Sequence, residues 1–451
     1  MDEIFTSLIM GEIHNEDILI KELSYDKMLF ISRQNLGDVE NIVLKLYKLE
    51  TSSYEQFYFV NCNIHKISVE KTHNVFSAEF VFKCDRFISA LSNLKQFIIM
   101  HNKIRSGNYE GLSFLKDKKP IYPIAQDDNI SNFKEVLGNW FDFAINEHKN
   151  MEFSNISEHI EIAFALNTYN LMQKCNETTY TNIYYETLEK YNLSNHGLLK
   201  QGFQRVYIGN EFCQYIFPYN QILKYIKKAH NENYEVTIML SFMNENMSKK
   251  ILRTINDIEQ YCFQNQKKVE VVVNDWGILN YIKSNTSMMI PILGRLLNKR
   301  KKDPRRKWIW RNQSDETIQF NCLSNNDYFR QFLTDYNVER YEFEVYEDMQ
   351  RTISLKLKGN KNSLHFPFYQ MMTSLSCPLF NEYNHFKQDK LQEHNCPYIC
   401  AEIIRIYSRD LHMVGIGNSN FAFVGDVLTD PDILTNYCKN GIDRLVFSPI
   451  I

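Results

Sequence analysis

Four cysteines are the residues of this chain whose type and spacing could do chemistry: Cys377, Cys396 and Cys400 in the last quarter, and Cys213 far upstream. Thiolates bind soft metals and iron–sulfur clusters. Three residues separate Cys396 from Cys400, so one helical turn or a tight loop can aim both at one metal. Eighteen residues separate Cys377 from Cys396, so Cys377 must arrive from another element. Structural zinc sites usually pair two such knuckles, and only one pair is present. Radical S-adenosylmethionine chemistry needs three closely spaced cysteines, against a single Cys-Xaa-Xaa-Xaa-Cys here. Together with Cys213, the three would complete the four-thiolate set of a 4Fe-4S cluster. Buried cysteines are also ordinary core residues, and spacing alone leaves the two readings level.

Compartment and composition bear on those thiols. Met1–Met10 holds two acids and no Lys or Arg ahead of a short apolar run, so no secretory signal is expected. No stretch reaches the roughly 20 apolar residues of a membrane span. A cytoplasmic location, reduced thiols and no membrane partner are therefore expected. The 451 residues exceed one average domain of roughly 150. Hydrophobic and aromatic contents of 44% and 14% exclude a disordered chain. A net charge of −3 gives no global basic field for nucleic acid. One local patch remains: Lys299, Arg300, Lys301, Lys302, Arg305, Arg306 and Lys307 around Asp303 and Pro304. Such a run is more often a solvated loop than a binding site.

Periodicity indicates the elements that must position the cysteines. Runs at Met28–Ser32, Ile42–Tyr47, Phe57–Val60 and Val75–Phe82 predict a small antiparallel β-barrel over residues 1–115. Over 116–200 a helical connector is expected, with helices Asn132–Lys149, Ile156–Lys174 and Asn182–Tyr191 and N-caps at Ser131 and at Ser154 or Asn155. From Gly202 strand and helix alternate. Strands are predicted at Val206–Gly209, Tyr234–Phe242, Val269–Val273, Met289–Leu293 and Arg340–Tyr346, and near Ala401–Tyr407 and Arg444–Phe447. Helices are predicted at Tyr219–His230, Ser248–Gln264, Gly277–Lys283 and Tyr328–Tyr336. This alternation builds a parallel sheet. For 201–451 an α/β fold, a (β/α) barrel that is complete or lacks part of its ring, fits the length better than an open sheet.

In such barrels the chemistry lies where the strands end. The strand at Val206 runs into Asn210, Glu211 and Cys213; that at Val269 into Asn274, Asp275 and Trp276; that at Met289 into Gly294, Arg295 and Asn298. Asn274, Asp275 and Arg295 are the candidate catalytic residues, with Glu211, Asn298 and Arg305 as candidate substrate-binding residues. Strand ends always meet polar loops, so each of these residues alone is weak. His394, close to Cys396, is an alternative ligand, although a lone His is more often structural. Cys62, Cys84, Cys175, Cys262, Cys322 and Cys438 have no motif context and read as core or surface thiols.

The ordered set Arg205-Val-Tyr-Ile-Gly-Asn-Glu-Phe-Cys213, Val269-Glu-Val-Val-Val-Asn-Asp-Trp-Gly277, Leu293-Gly-Arg-Leu-Leu-Asn298 and Cys377-Pro378 with Cys396 and Cys400 resembles the peptidase U32 (collagenase-like) family. The likeness is nearest to its iron–sulfur members of oxygen-independent ubiquinone biosynthesis and covers about 202–451. It implies a (β/α) barrel with a 4Fe-4S cluster at its mouth on Cys213, Cys377, Cys396 and Cys400. It also implies oxygen-independent, hydroxylation-like modification of an aromatic ring or RNA base, or the peptidase activity of the older label. The region before Gly202 has no counterpart in short members, and the basic run after Asn298 is longer than theirs. The N-terminal segment resembles a PilZ-type barrel: Ile20–Ser32, Gly37-Asp38 and Phe76–Val81 follow its layout. Only the small polar turn Ser24–Lys27 has a counterpart to its ligand motifs, and no Arg-Xaa-Xaa-Xaa-Arg precedes it. The barrel therefore reads as degenerate and nucleotide-free, a place for a protein partner.

Three functions follow as expectations. The first is an iron–sulfur enzyme acting on a small molecule, peptide or RNA. The second is a peptidase or peptide-binding protein, which no Cys–His signature or His-Glu-Xaa-Xaa-His motif supports. The third is a non-catalytic iron–sulfur adaptor.

Overall fold

The computed structural model describes residues 8–14, 16–32, 35–48, 53–70, 73–81, 84–105, 126–129, 135, 156, 159–299, 326–346, 361–375, 377–383, 396–406 and 412–450. The helix expected at Asn132–Lys149 lies essentially outside them, as do the caps Ser131, Ser154 and Asn155, Arg300–Lys307 with Arg305, Cys322 and His394. Among the described residues no helix is long and apolar enough to cross a membrane. The chain divides into two compact units near Gln126.

The first unit holds β1 (Ile9–Ile13), β2 (Glu16–Leu23), β3 (Lys27–Ser32), β4 (Val39–Lys48), β5 (Ser53–Glu70) and β6 (His73–Glu79). They close into an antiparallel barrel in the order β1-β2-β3-β6-β5-β4. Along β3 and β4 buried and more open residues alternate, the period of two that a half-buried strand requires. The inward set includes Phe30, Ile42, Leu44, Phe57, Phe59 and Phe76. Helix Asp85–Arg105 brings Phe87, Leu91, Leu94 and Ile98 into the same core, at the three- and four-residue steps of one helical face. The turn Ser24–Lys27 closes β2 onto β3, with the Ser24 hydroxyl donating to the Lys27 carbonyl at 2.8 Å.

The second unit begins with β7 (Gln126–Asn129), an edge strand of a small sheet. Its main body is a closed barrel of eight parallel strands: β8 (Glu161–Leu166), β9 (Arg205–Gly209), β10 (Glu235–Met239), β11 (Val269–Val273), β12 (Met289–Leu293), β13 (Arg340–Glu344), β14 (Lys361–Phe366) and, after an insertion, β19 (Arg444–Phe447). β19 returns to pair with β8 and completes the ring. Most strand residues are buried, as expected where helices cover the outside and side chains fill the inside. Ala163, Ala165, Tyr207, Met239, Val272, Ile292 and Val446 meet as an inner cluster. Outside, helix Ile222–Asn231 buries Ile222, Tyr225, Ile226 and Ala229, one stripe of a 3.6-residue period.

One expected helix is overturned. Ile156–Lys174 contains β8 and then a short helix, Tyr169–Lys174, rather than a continuous helix. Glu161-Ile-Ala-Phe-Ala-Leu166 is a short apolar run, which periodicity cannot assign to helix or buried strand. The ring therefore starts ahead of Gly202, and β9 is its second strand. The insertion supplies the rest of the small sheet: β15 (Phe368–Thr373), β16 (Ile403–Ile406), β17 (Met413–Ile416) and β18 (Ser419–Phe423), in the order β15-β18-β17-β16-β7. The strand expected near Ala401 thus belongs to this sheet and not to the barrel.

Candidate functional site

Opposite ends of the parallel barrel carry two different charged networks. At the end where strands start, Arg444 donates to Glu161 at 2.6 Å and to Glu270 at 2.6 and 3.0 Å. Arg205 meets Glu161 at 2.6 Å and Arg340 forks onto Asp443 at 2.8 and 3.0 Å. Burial pushes the Glu270 carboxyl up, but Arg444, Arg205 and Arg340 outweigh it and hold it at about 2. This end is a plug of paired charge.

At the end where strands finish, Glu211 accepts from the Arg295 side chain at 2.8 Å, from the Arg295 backbone N–H at 3.0 Å and from Asn274 at 3.2 Å. Arg295 also faces Glu344 at 3.6 Å and lies over the Phe212 ring at 4.8 Å. His365 joins Glu342 and Ser448, each at 2.7 Å. Burial and the Arg295 charge hold the His365 imidazole down at about 3, while burial raises the Glu342 carboxyl. Both shifts oppose charge on this buried pair. Glu211, Asn274, Arg295 and Asn298 are all at least nine-tenths buried. The candidate catalytic and substrate-binding residues of the strand ends thus come together, but as a floor with saturated partners. Asn298 donates to the Glu342 carbonyl at 3.1 Å. Asp275 caps helix Trp276–Asn285, accepting from the N–H groups of Gly277 and Ile278 at 2.8 and 3.1 Å.

The cysteines stand in the loops of this end. Gly209 ends β9 at φ +120°, where an added Cβ would meet the Met239 carbonyl and, at 2.9 Å, the Phe217 ring; only glycine fits there. Asn210 then accepts from the N–H groups of Phe212 and Cys213 at 2.8 and 2.7 Å, and donates to the Asn167 carbonyl at 2.5 Å. That local turn fixes Cys213. Cys377 follows β15 and receives the Phe380 N–H at 3.4 Å. Cys396 and Cys400 flank Tyr398, whose φ is +54°, and Asn170 ties the segment down through the Ala401 carbonyl at 2.8 Å. Between β17 and β18, Gly417 sits at φ +58°, and its missing Cβ would lie 3.8 Å from the Cys400 sulfur and 4.0 Å from that of Cys377.

All four thiols are half-buried and interact. Burial pushes the Cys213 thiol up to about 12, with Cys377 and Cys396 adding repulsion and the N–H groups of Tyr215 and Ile216 opposing it. Cys400 is raised by burial and then by Cys213, Cys377 and Cys396. Cys377 and Cys396 are also raised by burial first, against N–H groups of Phe380 and Tyr398 respectively. Among the described residues, no group of three or more His, Cys, Asp or Glu side chains converges as the shell of a single ion does. A tetrahedral zinc site with Zn–S near 2.3 Å brings its sulfurs to about 3.8 Å from one another. A four-iron cluster spreads its thiolates over a wider cage. The Cys377 and Cys400 sulfurs lie 4.0 and 3.8 Å from the missing Cβ of Gly417, and so no farther from each other than those two distances together, a separation open to such a cage. The backbone N–H groups aimed at Cys213, Cys377 and Cys396 favour the thiolate, the form that ligates.

Beside the thiols opens a cleft of about 440 Å³, lined by Tyr169, Tyr215, Phe217, Tyr219 and Tyr398, by Lys249 and Lys250, and by Cys396 itself. Tyr169 stacks on Tyr398 with centroids 4.1 Å apart, and Lys250 lies 4.7 Å above the Tyr219 ring. Sequence reasoning missed these aromatics, His365, and the Gly417-Asn418 turn. Only the turn carried a signal, a Gly-Asn pair between two apolar runs. Cys62, Cys175 and Cys262 are core thiols, whereas Cys84 is exposed. No protein-family model and no curated protein matches this chain.

Proposed function

We propose that the protein is an iron–sulfur enzyme of the U32 type, holding one 4Fe-4S cluster on Cys213, Cys377, Cys396 and Cys400. It modifies an organic substrate, an aromatic ring or nucleobase, without O₂ in a hydroxylation-like reaction in the reducing cytoplasm. The observation that carries this reading is the approach of the Cys377 and Cys400 sulfurs to one point, 4.0 and 3.8 Å from the missing Cβ of Gly417, with Cys213 and Cys396 near enough to affect their titration. A bound cluster supplies one-electron chemistry at a potential tuned by N–H groups on its sulfurs. The chain's residues do the rest. The aromatic cleft at Cys396 binds and orients the substrate, and Lys249 and Lys250, with the Lys299–Lys307 run including Arg305, attract an anionic group. Asn274, Arg295 and Glu211 keep the Cys213 loop rigid. The PilZ-like N-terminal barrel serves as a docking module for a protein partner.

Anaerobic reconstitution followed by iron and sulfide analysis tests this. Wild type should take up about four of each per chain and show a visible charge-transfer band that Cys396→Ser loses. Protein that stays free of iron, or a Cys396→Ser variant with an unchanged band, would end the reading.

A further inference from the structure

The turn between β17 and β18 touches all three segments that carry the four cysteines. Asn418 is 8% exposed and its side-chain amide donates twice, to the Phe212 carbonyl at 2.8 Å and to the Ser374 carbonyl at 2.9 Å. Phe212 precedes Cys213 directly, and Ser374 lies three residues before Cys377. The Ser374 N–H returns a bond to the Asn418 carbonyl at 2.8 Å, and the Ser419 hydroxyl donates to the Asn418 side-chain oxygen at 3.2 Å. An asparagine amide has two N–H donors and here both are used. The preceding residue, Gly417, lies against the third segment: its missing Cβ would be 3.6 Å from the Cys400 Cβ. The pairing of Ile416 with Ser419 closes the hairpin tightly, so the turn cannot shift without moving both strands.

We infer that Asn418 is a positioning residue for the cluster site. It clamps the Cys213 loop to the Cys377 segment beside Cys400, so that the thiols are gathered before metal arrives. The inference rests on the cluster reading above. Two loops far apart in sequence gain a neutral hydrogen-bonded bridge. Isosteric aspartate cannot make it, because a carboxylate only accepts. Outer partners that orient metal ligands typically change metal affinity by 10–100-fold when removed.

The test compares wild type, Asn418→Ala and Asn418→Asp after anaerobic reconstitution. Iron content, the electron paramagnetic resonance spectrum of the reduced protein and the rate of iron loss to a chelator are measured well below the melting temperature. Wild type should hold its iron, while both variants lose it to chelator about tenfold faster or more, with an altered spectrum. A purely structural role would lower the melting temperature and leave spectrum and loss rate unchanged, and that outcome overturns the inference alone. Wild type that binds no iron overturns the cluster reading and this inference with it. Should both variants fail to fold, Asn418→Ser, neutral and with a single donor for the two carbonyls, yields the same comparison.

Discussion

Asp275 shows how the same residue reads differently from the sequence and from its partners. As an acid just past a strand end it was a candidate for catalysis. In the fold it accepts two helix N–H groups, which makes it an N-cap. Asp275→Ala should therefore cost about 1 kcal/mol, whereas Asp275→Asn, an equally good cap, should leave the melting temperature near wild type. Loss of activity in Asp275→Asn at unchanged stability would restore a chemical role to the carboxylate. The four cysteines behave differently. Their residue types and order were legible along the chain, because thiolate chemistry belongs to the side chain itself. Their approach was not, since it depends on Gly209 and Asn210 turning the Cys213 loop and on the Gly417 turn lying against Cys400 and Cys377.

The strands β9, β11 and β12 were legible to within a residue or two because each is a short apolar run followed by a polar loop, in strict alternation with amphipathic helices. β8 was not, because Ala and Leu suit helix and buried strand alike, and its partners β19 and β9 decide the matter. The elements that finish at one end deliver Glu211, Asn274 and Arg295, buried and hydrogen-bonded to one another. Glu211→Ala leaves the buried Arg295 guanidinium with Glu344, at 3.6 Å, as its remaining ion pair among the described residues, and should destabilise the protein by about 3–5 kcal/mol. Glu211→Gln, which keeps an acceptor but drops the charge, should fall between that variant and wild type. Urea denaturation midpoints give the order, and equal midpoints for alanine and wild type would show the floor to be dispensable.

For the whole molecule, the plug at the other barrel end predicts acid sensitivity. Glu270 is depressed in the folded state from 4.5 to about 2 by Arg444, Arg205 and Arg340, which outweigh its burial. The contribution of a depressed carboxyl is complete above its unfolded value and disappears as pH falls toward its folded value. Stability on the order of 3 kcal/mol from this group should thus be lost between pH about 4.5 and about 2. Glu270→Gln should show a shallower fall of melting temperature across that window than wild type; parallel curves would remove Glu270 from the account. The closed ring is what makes this possible, since Arg444, on β19, reaches Glu270 on β11 only across the barrel's interior.

The residue types capable of chemistry, the alternation that builds a parallel sheet and the close strand spacing of the N-terminal barrel were all present in the linear order, because side-chain chemistry and local periodicity are properties of short stretches. Closure of the ring through β8, the burial that turned strand-end polar residues into a floor, the aromatic cleft beside Cys396 and the Asn418 clamp were settled in three dimensions. Each depends on contacts between residues far apart in the chain, such as Asn418 with Phe212 and Arg444 with Glu161, and no local propensity encodes them.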